Sequence, residues 1–108
     1  MDRIRARCED RASLAAQARA ALPELVAILV QEYGARRVVL FGSLLGPAFC
    51  ETSDIDLLVE GLPAQRYGEA LGRLFAVAPV AVDLIPLETG RPAVVARALA
   101  EGEVLHAA

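Results

Sequence analysis

Three aspartates stand out by type and placement. Asp54 and Asp56 flank Ile55 at the opening of the apolar run Leu57-Leu58-Val59, and Asp83 interrupts a second such run, Val80-Ala81-Val82-Asp83-Leu84-Ile85. Strand interiors are poor in aspartate, and a buried carboxylate costs several kcal/mol unless it is paired. Side chains at i and i+2 of a strand share a face, about 6–7 Å apart at the backbone, so Asp54 and Asp56 can converge on one point. Three carboxylates within ~4–5 Å repel by roughly 4 kcal/mol per pair at an effective dielectric of ~20. Either their pKa values rise or a cation sits among them. The bases Arg36 and Arg37 fall at the far end of the preceding apolar run. Hard oxygen donors point to Mg²⁺. Two such ions about 3.5–4 Å apart would activate an attacking hydroxyl and neutralise a leaving pyrophosphate.

Gly42-Ser43 closes the run Val38–Phe41, about ten residues before Asp54. Gly42 lets the backbone come close to a phosphate. Ser43 offers a hydroxyl and an N–H at the start of a helical turn, a setting that favours anions. Each piece alone has an ordinary explanation: Gly-Ser pairs fill turns, Asp-x-Asp caps strand openings, and Asp83 could pair with an arginine. Their combination at this spacing carries the information.

These residues need elements to position them. Residues 2–21 read as a helix, rich in Arg, Ala, Leu and Gln. Pro23 suits the first turn of a second helix over 23–33, ended by Gly34. Strands are expected at 37–41 and 56–60, a helix at 64–77, a third strand at 80–87, a helix at 93–100 and a short last strand at 103–106. In the 64–77 helix, Tyr67, Ala70, Leu71, Leu74 and Phe75 should point inward. The loop between the first two strands is too short for a crossover helix, so they pair antiparallel. The 64–77 helix then carries the chain to a third strand parallel to the second. The expected class is α/β (α+β): a small mixed sheet of three to four strands flanked by helices. Gly42, Ser43, Asp54, Asp56 and Asp83 should meet at one edge of it.

Composition bounds the rest. The chain has 108 residues, which suits a single domain over 1–108, with 1–21 as a helical extension and 23–106 as the core. Hydrophobic residues make up 56%, much of it alanine, so apolar surface should remain for a partner or for self-association, homo- or hetero-oligomeric. No uninterrupted apolar run reaches ~18–20 residues, so no membrane association is expected. No apolar segment follows Arg3, Arg5 and Arg7 before Glu9, so no secretory signal is expected either. Cys8 and Cys50 then read as free thiols in a reducing cytoplasm. With nothing cationic nearby to lower its pKa, Cys50 reads as a small packing residue. The net charge of -3 argues against direct nucleic-acid binding. The cluster of Arg3, Arg5, Arg7 and Arg11 reads as a solvated helix face.

The segments "VVLFGS", "DIDLLVE" and "VAVDLIPLE", with the closing "EGEVLH", together resemble the DNA polymerase β-type nucleotidyltransferase superfamily, and within it the minimal nucleotidyltransferase (MNT) proteins. The resemblance covers roughly residues 23–106. It implies a polymerase β-like fold in which Gly42 and Ser43 hold a nucleoside triphosphate and Asp54 and Asp56 bind metal ions. Asp83 completes the site as ligand or base. The implied reaction moves AMP from ATP to a hydroxyl, with Mg²⁺ as cofactor and two ions expected. Relatives often carry a basic residue after the Gly-Ser pair; here Leu44-Leu45-Gly46-Pro47 follows, which suggests that this loop packs against something apolar. MNT proteins of this length resemble antitoxins encoded beside HEPN-domain ribonuclease toxins, neutralising them by AMP addition to a tyrosine, by binding, or both. Two other functions stay open: a binding module that neutralises its partner by contact alone, and one subunit of a two-chain enzyme modifying small molecules.

Overall fold

The computed structural model describes residues 2–108, with side chains from Ala12 onward. The side chains of the Arg3, Arg5, Arg7 and Arg11 cluster, and of Cys8, lie outside the described residues.

Helix α1 (Asp2–Ala27) opens the chain and continues without a break into a π-helical turn, Ile28–Glu32. The expected division into two helices at Pro23 does not occur, and Pro23 sits inside α1. A proline costs one backbone hydrogen bond and crowds the preceding turn. That cost is offset here because Ala18, Leu22, Leu25 and Leu29 form one buried stripe across the proline, while Pro23 itself faces solvent. Over Ala12–Glu32 the mean hydropathy reaches 1.4, long and apolar enough by composition to cross a bilayer. Alanines between the leucines conceal this when only uninterrupted apolar runs are counted. In the fold, the leucine stripe packs on the sheet.

Strands β1 (Arg37–Phe41), β2 (Ile55–Glu60), β3 (Val82–Pro86) and β4 (Glu103–Ala107) form one mixed sheet in the order β3-β2-β1-β4. β1 pairs antiparallel with β2 and with β4, and β2 pairs parallel with β3. Helix α2 (Tyr67–Val77), entered through a 3₁₀ turn at Ala64–Arg66, makes the crossover to β3. Helix α3 (Pro92–Glu101) then returns the chain to β4 at the other edge. This is the mixed α/β architecture expected from the sequence.

Alternation along the strands divides the core into two layers. On one side Val38, Leu40, Leu57, Val59 and Leu84 join the stripes of α1 and α2. On the other, Val39 and Leu58 meet Ala98 of α3, with Phe41, Ile85 and Val95 packed around them. Gly102 makes the second layer possible: a Cβ there would stand 2.8 Å from the Leu40 carbonyl oxygen, so only glycine lets the end of α3 settle on β1.

One apolar expectation is corrected and another made specific. Phe75 does not point inward with Ala70 and Leu74 but is half-exposed on α2. The loop after Gly42-Ser43 is expected to pack against something apolar, and that surface is in part the domain's own core: Leu44 and Phe49 are buried in it, while Leu45 to Ala48 are exposed. Phe49→Ala should therefore destabilise the fold by about 3–5 kcal/mol, the usual cost of truncating a fully buried aromatic. Urea unfolding reads this directly, and a loss under ~1 kcal/mol would place Phe49 at the surface.

Candidate active site

The strand register assembles the site. Phe41, the last residue of β1, pairs with Asp56, and Asp56 pairs with Asp83 across the parallel β2–β3 ladder. Neighbouring strands lie about 4.8 Å apart, so Asp56 and Asp83 are side by side. Alternation puts both on the face of Leu58 and Ile85, which is the face covered by α3. Asp54 lies just before β2 and stands close enough for its charge to act on Asp56.

Asp83 differs from its expected setting in one respect. It is the second residue of β3 and is exposed, not buried in mid-strand. The strand is shorter than the apolar run suggested, so Asp83 stands at the mouth of the sheet. Tyr67 of α2 fixes β3 there, its hydroxyl donating to the Leu84 carbonyl at 2.6 Å. Burial and the negative charge of Asp83 both push the Tyr67 phenol pKa up. From the sequence Tyr67 reads only as an inward-facing helix aromatic, because nothing local marks its partner.

Asp56 is the centre of the group. Its carboxyl pKa is raised from 3.8 to about 6, first by burial, then by the charges of Asp83 and Asp54. No arginine forms an ion pair with any of the three among the described residues. Arg37 and Arg36 are held by Glu60 at the opposite end of β1 and β2, at 3.0 and 3.8 Å.

Gly42 adjoins Asp56 directly. It begins a 3₁₀ turn, Gly42–Leu45, with φ +82°. A Cβ on it would collide with the Asp56 carboxylate, lying 2.9 Å from Cγ. Glycine is thus required twice, by its left-handed backbone and by the side chain against it. Ser43 follows, partly buried, its carbonyl accepting from the Gly46 N–H at 3.1 Å.

The loop leading to Asp54 is closed reciprocally. The Cys50 N–H donates to Ser53 Oγ at 3.1 Å, and the Ser53 N–H donates to the Cys50 carbonyl at 2.9 Å. The Thr52 hydroxyl lies 3.2 Å from the Cys50 sulfur and, with a Thr52 backbone contact and Ser53, holds the thiol pKa below its ordinary value. The lowering comes from hydrogen bonds and not from a neighbouring cation.

Do these residues fit Mg²⁺? Among the described residues no three or more His, Cys, Asp or Glu side chains close around a point able to hold a metal ion. Mg²⁺ is seldom held by an all-protein cage. It takes one or two carboxylates and completes its shell with water and phosphate oxygens. Asp56, with neighbours that raise its pKa and no guanidinium to neutralise it, is an open donor set of that kind.

A model of the nucleotidyltransferase domain matches residues 22–105. The chain belongs to this family. No curated protein and no solved structure matches it at a significant level. The match to this nucleotidyltransferase domain spans β1 to β3, α2, α3, the start of β4 and the whole aspartate group, and the mixed sheet accords with the nucleotidyltransferase fold.

Proposed function

We propose that this nucleotidyltransferase domain transfers AMP from ATP to a hydroxyl of a partner protein, in a Mg²⁺-dependent reaction, and that the partner is a HEPN-domain ribonuclease toxin for which the chain is the MNT antitoxin. The observation that carries the chemistry is Asp56, whose carboxyl is raised to about 6 by burial and by the charges of Asp83 and Asp54. Bound divalent cations would neutralise phosphate charge and lower the pKa of the acceptor hydroxyl. Asp54 and Asp56 would hold them. The Gly42-Ser43 turn would seat the triphosphate, with Gly42 leaving room beside Asp56. Asp83, exposed at the sheet mouth, would take the proton from the acceptor hydroxyl as its oxygen bonds to the α-phosphorus. The bond to the β-phosphate breaks and pyrophosphate leaves. Leu45, exposed beside the site, supports an acceptor presented by another protein surface. The reading places the chain in the cytoplasm with its partner.

A second reading has its own support. No basic residue follows Ser43, so the domain could neutralise its partner by contact, without turnover. The experiment is co-expression with the neighbouring gene product, followed by intact mass. AMP-sized additions on the partner, lost with Asp54→Asn plus Asp56→Asn, support transfer. A tight complex with no mass change supports the contact reading. Transfer of AMP to a small molecule with the partner unmodified would favour a two-chain modifying enzyme.

A further inference from the structure

A cleft of about 670 Å³ opens between the Gly42 turn and α3, with Phe41, Gly42 and Leu45 on one side and Val94, Arg97 and Glu101 on the other. It lies on the same sheet face as Asp56 and Asp83, and Gly42, which lines it, adjoins Asp56. A polyphosphate chain running from the aspartates over the Gly42 turn reaches this cleft next. The turn itself supplies no cation, since Leu44 is buried and Leu45 is apolar.

The arginines divide sharply by place. Arg36 and Arg37 are tied to carboxylates at the far end of the sheet, while Arg66 and Arg73 are tied to Glu69 and Glu32 on the opposite face. Arg91 begins α3 at its other end. Among the described residues, Arg97 is the guanidinium that lines the cleft containing Gly42.

We propose that Arg97 is the polyphosphate-binding cation of this site, supplied from α3 in place of a basic residue after Ser43. The proposal rests on the nucleotide-transfer reading. Arg97 Nε now donates to Glu101 Oε2 at 3.0 Å, with the two side chains 81% and 64% exposed. An exposed i,i+4 pair contributes little in water. A phosphate offers the guanidinium two parallel charge-assisted bonds, which are stronger, so a triphosphate displaces Glu101 at small cost. The end of α3 also points carbonyl dipoles toward this region, which disfavours an anion there. Arg97, one turn earlier, offsets that field.

The test is calorimetric titration of the full chain with Mg·ATP and, separately, with AMP. Arg97→Gln should weaken Mg·ATP binding about tenfold or more and leave AMP binding within about twofold, because AMP lacks the β- and γ-phosphates. Arg97→Lys should fall between, since it keeps the charge without the fork. Glu101→Gln frees the guanidinium and should tighten Mg·ATP. Arg91→Gln, at the other end of the same helix, should bind as wild type does. Equal Mg·ATP affinity in wild type and Arg97→Gln would overturn the proposal while leaving nucleotide transfer standing. A wild-type chain that binds no nucleotide would overturn both.

Discussion

Asp56→Asn should abolish transfer and, at the same time, make the metal-free fold more stable. The two effects share one cause. Asp56 titrates at about 6, above its ordinary 3.8, because burial and two neighbouring carboxylates penalise its charge. Below about pH 4 the folded and unfolded chains both hold the proton. Between 4 and 6 the folded chain keeps it and the unfolded chain releases it, so stability falls as pH rises. Above 6 both are ionised and the loss is complete. Solvent at the partly exposed carboxylate screens part of this, leaving a penalty on the order of 1 kcal/mol at neutral pH. Asparagine keeps the shape and removes the charge. Urea unfolding in EDTA at pH 7 should show the variant more stable by about that amount, with the pH 4–6 slope flattened. Pyrophosphate release from ATP in the presence of the partner should drop at least about a hundredfold, the scale for losing a charged group aimed at the reacting centre. A variant that is less stable and still active would remove Asp56 from the centre of the site.

Gly42→Ala should destabilise the chain and inactivate it, whereas Gly34→Ala should destabilise it and leave it active. Both glycines have left-handed backbones, φ +82° and +74°. Any L-residue there is strained by about 1–2 kcal/mol. They differ in surroundings. A Cβ on Gly34 meets nothing within 4 Å, whereas one on Gly42 lands on the Asp56 carboxylate. The pair therefore separates backbone strain from damage to the site. The expected outcome is a loss of thermal stability in both, larger in Gly42→Ala because it adds the clash with Asp56, and loss of transfer only in Gly42→Ala. Equal activity in both variants would mean that Gly42 serves the turn alone.

The sheet was legible from short-range pattern because its strands are apolar runs bounded by turn residues, and the linker lengths dictated their directions. Asp54 and Asp56 were visible as a local motif, and Asp83 as a charge out of place. What the sequence hid was set at long range. Pro23 reads as a helix start by local preference, but the leucine stripe on both sides of it holds one continuous helix. Leu44 and Phe49 read as packing against something apolar, but nothing local says that this is the domain's own core. Arg97 sits 54 residues after Ser43, and only the packing of Gly102 on β1 brings the end of α3 to the Gly42 cleft.

The most direct test is paramagnetic mapping of the uniformly ¹⁵N-labelled chain with a trace of Mn²⁺ and excess ATP. Amide signals of Gly42, Ser43, Asp54, Asp56 and Asp83 should broaden first, while those of Glu32, Glu69 and the far ends of β1 and β2 stay sharp. Asp56→Asn should weaken the effect. Broadening centred on another acidic patch, or none at the sheet mouth with ATP present, would contradict a divalent-cation site at these aspartates.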